Sequence, residues 1–174
     1  VIQSGLGLPD EAYYREEAHA ETLSAYEKHV AEMLEFLDPA RLFGLGAEVA
    51  AHRIVSLEKE LAAGHWDVVS TRDAVKTYNP CEFSELPTMT RALLSGGNLP
   101  EHRVVNMMPS YLEHFESLFT SERMADWQLW ATWHILRSRA ALLPEEVGAK
   151  NFEFYGTKLS GATQQRDRWK RAVG

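Results

Sequence analysis

The sequence predicts an all-α domain, because apolar residues recur at helical spacing along most of its 174 residues. Two long segments carry the clearest helical pattern, and proline or glycine punctuates the shorter ones. Only the stretch from Arg103 to Met108 has the composition of a strand, and Pro109 limits it to a few residues. We therefore expect an antiparallel pair of long helices, further helices and at most one short strand.

The first long helix is predicted from Glu16 to Leu37. Asp38-Pro39 ends it, since a residue that precedes proline is pushed out of the helical conformation. The second helix is predicted from about Pro39 to Ala63, with Gly64 placed to close it. A short turn between two long helices predicts an antiparallel pair. The apolar face of the first helix comprises Leu23, Tyr26, Val30, Met33, Leu34 and Leu37.

Shorter helices are predicted along the rest of the chain. One is opened by Pro109, and Pro144 is well placed as the first residue of another. No internal repeat, low-complexity tract or linker between domains is present. The predicted ranges are Ser70 to Lys76, Ser84 to Leu94, Pro109 to Phe119, Ser121 to Leu142, Pro144 to Tyr155 and Gln164 to Val173.

Composition excludes several classes of protein. Apolar residues make up 45% and charged residues 25%, which is typical of a globular protein. The net charge of -7 argues against a nucleic-acid surface, and the one basic cluster, Arg166 to Arg171, is better explained as a solvated helix face. Cys81 is the only cysteine, so neither an intrachain disulfide nor a cysteine-rich zinc site can form.

Targeting information is missing from this sequence. No apolar run approaches the ~20 residues that a membrane-spanning helix needs. The beginning, Val1-Ile2-Gln3, has neither an initiator methionine nor the charged and apolar regions of a signal peptide. We expect the chain to be part of a longer protein, whose compartment, cytoplasmic or secreted, this sequence does not specify.

Seven histidines raise the question of a metal site. A helical zinc site normally needs two ligands one turn apart, as in His-Glu-x-x-His. No two of these histidines are three or four residues apart, so we expect surface or capping roles and assign no metal ligand. Convergence of distant histidines in a helical bundle stays open as an alternative. The histidines are His19, His29, His52, His65, His102, His114 and His134.

Other patterns favour structural roles, and we assign no catalytic or cofactor-binding residue. Gly5-Leu6-Gly7 lacks the third glycine of a dinucleotide-binding fingerprint, so turn formation explains it better. Three tryptophans at helical spacing are more typical of a core than of a ligand-stacking surface: Trp127, Trp130 and Trp133. Paired carboxylates occupy predicted first turns, where the helix dipole favours negative charge: Glu16, Glu17, Glu145 and Glu146.

A set of ordered motifs resembles the neprilysin and endothelin-converting-enzyme family of zinc metallopeptidases. The run from Gln3 to Tyr14 is similar to the family's Gly-Leu-Gly-Leu-Pro-x-x-x-Tyr-Tyr. Each other match is weak alone, but their order and spacing along nearly the whole chain make the set specific. These are Ala25-Tyr26, Leu57-Glu58-Lys59-Glu60, Arg72-Asp73, Tyr78-Asn79, Val104-Val105, Pro109 to Leu112, Asn151 to Gly156 and Arg168 to Arg171. In its lack of disulfide cysteines and in the form Trp169-Lys170-Arg171, the chain resembles bacterial, especially actinobacterial, members of the family.

The resemblance implies a two-domain enzyme. One domain would hold zinc through His-Glu-x-x-His and a downstream Glu, and a mostly helical domain would cap the chamber and restrict entry to peptides. Residues 1–174 match part of the helical cap, so the zinc ligands and the general base would lie outside this chain. The implied partners are the catalytic domain of the same polypeptide and peptide substrates.

Two further expectations follow from this interpretation. The leading alternative is a free-standing helical interaction module without enzymatic activity, which would lack His-Glu-x-x-His downstream. We also expect the isolated chain to self-associate, because the extended arm Val1 to Leu8 and the last helix would lose their partners.

Overall fold

The computed structural model describes residues 1–99 and 102–173, and helices dominate it. This confirms the predicted all-α class. Within those residues, no helix is both long and apolar enough to cross a membrane. The α-helices are α1 (Ala12–Arg15), α2 (Ala20–Leu34), α3 (Ala47–Gly64), α4 (Thr88–Gly96), α5 (Pro109–Leu118), α6 (Met124–Arg139), α7 (Glu145–Phe152) and α8 (Arg168–Val173).

The chain forms two compact units, each made of two separate stretches. The first comprises Val1–Ala20 and Leu57–Ala125, and the second comprises Glu21–Ser56 and Asp126–Gly174. The boundaries fall at the start of α2 and inside α3 and α6. Because the chain changes unit inside helices, no linker composition marks the division in the sequence.

In the second unit, the core forms around α2, the first half of α3 and α6. Trp133 is fully buried, and its indole N–H donates to the Tyr26 hydroxyl at 2.7 Å. Trp127 is also buried, so the predicted core role is confirmed for two of the three tryptophans. Trp130 is only partly buried and packs against His134, with 4.1 Å between ring centroids. The other buried apolar residues of these helices include Val30, Met33, Leu34, Ala50, Ala51, Ile54, Val55, Leu129 and Leu136.

The antiparallel pair of long helices is present, but both helices are shorter than predicted. A 3₁₀ turn spans Pro39–Leu42, and the Asp38 carboxylate caps it by accepting the Ala40 N–H at 2.9 Å. Phe43 and Gly44 then take left-handed backbone conformations, with φ of 56° and 76°. A helix cannot continue through left-handed residues, so α3 begins only at Ala47.

In the first unit, the core includes a cluster of Leu86, Met108, Tyr111 and Leu112. The arm at the beginning of the chain packs in this unit, contrary to the expectation that it lacks partners. The Val1 amine donates to the Val105 carbonyl at 2.6 Å, and the Val1 carbonyl accepts the Met107 N–H at 2.9 Å. Further along the arm, the side chains of Leu6 and Leu8 are buried.

Two short strands replace the single predicted one. β2 (Val104–Val105) lies inside the predicted stretch and pairs antiparallel with β1 (Pro80–Cys81), which the sequence did not indicate. Pro80 faces Val105 and has no N–H to donate. The residue that follows Val105, Asn106, donates its N–H to the Asn79 carbonyl at 2.9 Å. A two-residue strand that begins with proline carries no alternating pattern, which explains why the prediction missed it.

Other helix boundaries moved by a few residues. The helix predicted from Ser84 starts at Thr88, because Pro87 precedes it, and the stretch from Ser70 forms only a 3₁₀ turn, Ser70–Arg72. The helix predicted to Tyr155 becomes a π-helical turn over Glu153–Lys158. A Cβ at Gly156 would lie within 3.0 Å of the Phe152 ring, so any larger residue there would force that ring to move. The predicted last helix is confined to α8.

Candidate functional site

The Gly-Leu-Gly-Leu-Pro segment packs against a buried carboxylate on α3. Glu58 has no exposed surface. Its Oε1 accepts the Gly7 N–H at 3.1 Å, and its Oε2 accepts the Tyr14 hydroxyl at 2.7 Å. The Tyr14 oxygen also accepts the Leu8 N–H at 2.9 Å. A carboxylate removed from water needs such donors, so Glu58 and the segment fix each other in place.

Arg15 attaches the same segment to the C-terminal end of α3. Its guanidinium donates to the Ala62 carbonyl and, at 2.8 Å, to the His65 carbonyl. Carbonyls at this end of a helix have no partner within the helix and carry its negative dipole. The Ala62 carbonyl also accepts the His65 N–H at 3.1 Å. The arginine therefore adds a second donor to that carbonyl, pairs the His65 carbonyl beyond the helix end, and places a positive charge where the helix favours it.

A serine and a histidine meet beside this segment. The Tyr111 hydroxyl donates to Ser4 Oγ at 2.6 Å, and His65 Nε2 lies 3.5 Å from the same oxygen. Burial lowers the pKa of His65 to about 4, and the positive charges of Arg15 and His114 act in the same direction. Among the described residues no carboxylate contacts His65 to orient it as a general base. The arrangement lacks the third group of a nucleophilic triad, and it holds the arm against the core.

The last turns of α3 carry a second set of contacts. His114 Nε2 lies 2.7 Å from the Glu60 carbonyl oxygen, and Arg123 donates two hydrogen bonds of 2.6 Å to the Glu60 carboxylate. These bonds from Arg123 lower the pKa of Glu60. The His114 ring lies directly over Gly64, where a Cβ would come within 3.0 Å of it. Glycine at this position therefore allows the ring to approach the helix.

In the second unit, His29 is the buried histidine of α2. Its ring stacks on Phe154 with 4.8 Å between centroids, and it meets Trp133 edge-on. Burial lowers the pKa of His29 to about 4, so the ring is neutral at pH 7. Beside it, the Lys150 ammonium lies 2.7 Å from a Glu32 carboxylate oxygen. The stacking and the neutral state are those of a core histidine.

The basic cluster near the end of the chain is only partly a solvated face. Arg168 and Arg171 donate to the carbonyls of residues 141–143, at 3.0–3.2 Å. These carbonyls follow α6, so the two arginines of the Arg-Trp-Lys-Arg motif serve as a helix cap. Trp169 between them is 66% exposed.

The seven histidines do not converge on a metal site in the described part of the chain. In residues 1–99 and 102–173, no group of three or more His, Cys, Asp or Glu side chains could hold a metal ion. His52 pairs with Glu27 at 2.9 Å, and His19 stacks on Tyr13 at 4.3 Å between centroids. The exposed His102 precedes β2 by two residues in the sequence.

The model of the N-terminal part of peptidase family M13 matches residues 1–174, which is the entire chain. The chain belongs to peptidase family M13. The chain also resembles proteins whose structures have been solved. Its sequence is 43% identical to that of the Mycobacterium tuberculosis zinc metalloprotease Zmp1, and the TM-score to the open state of Zmp1 is 0.82 over 99% of this chain and 28% of that chain. The chain is 41% identical to Zmp1 in complex with an inhibitor, with a TM-score of 0.84 over 99% of this chain and 27% of that chain.

More distant relatives of this M13 chain match over a similar extent. Neprilysin-2 of Drosophila melanogaster is 28% identical over 186 residues, which cover 98% of this chain and 23% of that protein. PepO from Lactobacillus rhamnosis HN001 is 19% identical with a TM-score of 0.79, and the match covers 98% of this chain and 28% of that chain. This last likeness concerns the fold alone. The chain thus spans about a quarter of the length of these relatives.

Zinc does not fit the described residues of this M13 chain. Structural and catalytic zinc sites need at least three protein ligands, and the described residues supply no such group. The chemistry that the chain does contain is a set of buried polar contacts around the family motifs. Those contacts hold the beginning of the chain and the end of α3 in a fixed arrangement.

Sequence reasoning missed Glu58 and Arg15 as the residues that organise the M13 motif. Glu58 carried a usable signal, because it interrupts the apolar stripe of α3 between Ile54 and Leu61. An acid at a core-facing position predicts a buried carboxylate with partners. Arg15 carried no comparable signal, since an arginine near a helix end is common.

Proposed function

We propose that this chain is a non-catalytic helical segment of a zinc metallopeptidase and that it restricts peptide access to the active-site chamber. The single observation that carries the proposal is the match of the entire chain to the N-terminal part of family M13. The 41–43% identity to Zmp1, which is described as a zinc metalloprotease, supports the same enzyme class.

In this proposal the reaction belongs to the longer protein. Zinc bound there would activate a water molecule for attack on the peptide bond. This chain would contribute neither a zinc ligand nor the general base, in keeping with its described residues. Its contribution would be steric. Packed helices would narrow the entrance to the chamber, so that a flexible peptide can enter and a folded protein cannot.

A wall of this kind must keep its shape. The paired hydrogen bonds between Arg123 and Glu60 are an example, since a bidentate contact fixes both distance and orientation. Together with Arg15 and Glu58, they fix both ends of the second half of α3 within the first unit. These contacts support a positioning role for the segment.

The reaction assignment is tested with the isolated chain and the longer protein side by side. We expect the isolated chain to hydrolyse no peptide with or without added zinc, and the longer protein to lose activity when a chelator removes zinc. Chelator-sensitive cleavage by the isolated chain would contradict the non-catalytic role. Absence of His-Glu-x-x-His downstream in the gene would favour the interaction module instead.

The access role is tested in the longer protein with Arg123→Gln, which removes the bidentate contact with Glu60. We expect kcat/KM for a large, folded protein to rise relative to kcat/KM for a short peptide. His52→Gln is the matched control, because it also removes a surface contact with a glutamate. An unchanged ratio in an Arg123→Gln enzyme whose thermal stability has fallen would contradict the access role.

A further inference from the structure

An apolar recess lies between α4, α5 and the arm at the beginning of the chain, within the first unit. Its volume is about 160 Å³. In another protein, a dry apolar cavity of roughly 150 Å³ holds one benzene molecule, so this recess has room for a single aromatic ring. The apolar side chains that line it include Ile2, Leu93, Leu94, Leu112 and Phe115.

Two of the apolar side chains of the recess are exposed to solvent. Ile2 is 62% exposed and Leu93 is 50% exposed, whereas Leu112 is buried. A single exposed leucine needs no explanation, but apolar side chains that are exposed around a concavity are typical of a ligand-binding site. We therefore expect a ligand to enter without unfolding of α4 or α5.

Thr90 is the unusual residue of the recess. It is only 5% exposed, and its hydroxyl oxygen is buried without a hydrogen-bond partner among the described residues. The two other polar side chains of the lining pair with each other, because the Tyr111 hydroxyl donates to Ser4 Oγ at 2.6 Å. A buried hydroxyl that pairs with nothing is costly. Thr90 is therefore the position at which an occupant would gain a hydrogen bond.

Charge restricts the occupant further. None of the described side chains that line the recess is acidic or basic. A charged group would lose its hydration there and gain no counter-ion, so the occupant has to be neutral. A threonine hydroxyl both donates and accepts, so a hydroxyl of the ligand can pair with it in either direction.

We propose that this recess binds a phenol group, with the ring packed against Leu112 and Phe115 and the hydroxyl paired with Thr90. Two aromatic side chains already line the recess, Tyr111 and Phe115, with 6.4 Å between their ring centroids. Aromatic rings attract one another beyond the area that they bury, so this lining favours a ring over an aliphatic chain. The phenol group could belong to a free small molecule or to the tyrosine side chain of a peptide, and the chemistry is the same in both cases.

The proposal is tested by titrating p-cresol and toluene separately into the ¹⁵N-labelled chain at pH 7, since the two molecules differ by one hydroxyl. We expect saturable chemical-shift changes at the amides of residues 90–94 and 111–115. Thr90→Val replaces the hydroxyl with a methyl group. The ratio of the toluene Kd to the p-cresol Kd should therefore fall about fivefold in Thr90→Val, which corresponds to the roughly 1 kcal/mol of a neutral hydrogen bond.

Thr88→Val is the matched control, because Thr88 is an exposed threonine of the same helix. It should change that ratio less than twofold. Thermal unfolding without ligand gives an independent measurement: since the Thr90 hydroxyl has no partner to lose, Thr90→Val should unfold at the same temperature as the wild type or at a higher one. A clearly lower unfolding temperature would show that the hydroxyl is paired within the fold and would overturn the proposal, as would an equal ratio in the wild type and Thr90→Val.

Two peptides distinguish the sources of the phenol group, N-acetyl-Gly-Tyr-Gly-amide and N-acetyl-Gly-Phe-Gly-amide. If the recess accepts a peptide side chain, the tyrosine peptide shifts the same amides and loses its preference over the phenylalanine peptide in Thr90→Val. If it accepts only free phenols, p-cresol binds and neither peptide does. Linear shifts with every ligand contradict the recess proposal, which goes beyond the proposed function, and leave the peptidase assignment untouched.

Discussion

At the scale of single residues, the buried carboxylate of Glu58 explains what Gly7 and Tyr14 of the motif do in this chain. Gly7 and Tyr14 supply its donors from positions 51 and 44 residues away in the sequence. A glutamine at position 58 would keep the shape but remove the charge that both donors stabilise. The separation also explains why the sequence could not pair these residues: nothing local links a glycine turn to a helix so far along the chain.

Two buried histidines predict how stability depends on pH. The pKa of His29 falls from 6.5 to about 4, mainly by burial, and Asn151 and Glu32 oppose this shift. The unfolded chain therefore binds a proton between pH 6.5 and 4 that the folded chain does not, so stability is full above pH 6.5 and falls towards pH 4. For His29 the loss is roughly 2–3 kcal/mol. The pKa of His65 is lowered in the same direction.

Urea unfolding at pH 7.5 and pH 4.5 measures this effect. His29→Phe keeps a ring against Phe154 but cannot titrate, so its stability should differ less between the two pH values than that of the wild type. His102→Gln changes an exposed histidine and should leave the difference as it is. Equal pH dependence in wild type and His29→Phe would mean that the pKa of His29 is the same in the folded and the unfolded chain.

Gly64 gives a second prediction at this scale. Alanine normally stabilises a helix relative to glycine by roughly 1 kcal/mol, but a Cβ here would lie within 3.0 Å of His114. Moving that ring would break its contact with the Glu60 carbonyl, so we expect Gly64→Ala to destabilise the chain by about 1–3 kcal/mol. Gly96→Ala is the control, because no atom lies within 4 Å of its Cβ position. Thermal unfolding should move in opposite directions for the two variants.

At the scale of elements, periodicity predicted which segments are helical but not where they begin. The apolar spacing of α2 and α3 was enough to predict the pair. The start of α3 was wrong because it depends on the left-handed backbone of Phe43, a conformation that no pattern of apolar residues encodes. The strand β1 was missed for a similar reason, since its two residues are defined by their partner and not by their own sequence.

Helix α6 allows the core assignment to be tested on neighbouring tryptophans. Trp133 is fully buried and donates to Tyr26, whereas Trp130 is only partly buried. We expect Trp133→Ala to destabilise the chain by roughly 3–5 kcal/mol, the range for deletion of a buried large aromatic. Trp130→Ala should cost clearly less. Chemical unfolding of both variants decides the matter, and a larger loss for Trp130→Ala would contradict the packing of α6.

At the scale of the whole molecule, the two units explain how a chain without a linker can still be divided. Each unit joins an early stretch to a late one, so neither is a continuous piece of sequence. Cutting the chain at Ser56 would therefore leave both units without a part of their core. The Glu58 network lies wholly in the first unit, while His29 and the tryptophans of α6 lie in the second.

The last prediction concerns association of whole chains. The arm packs within its own unit, so exchange of the arm no longer gives a reason for self-association. Exposed apolar side chains still do: Val69 and Val75 are 81% and 86% exposed in the first unit, and Ile135 and Trp169 are 65% and 66% exposed in the second. Exposed apolar surface tends to find a partner surface when it is extensive enough, so we expect a dimer or larger species at high concentration. Sedimentation equilibrium across a wide concentration range measures it, and Trp169→Ser should weaken the association if α8 takes part. A monomer at the highest concentration would show that these side chains are too scattered to form a contact.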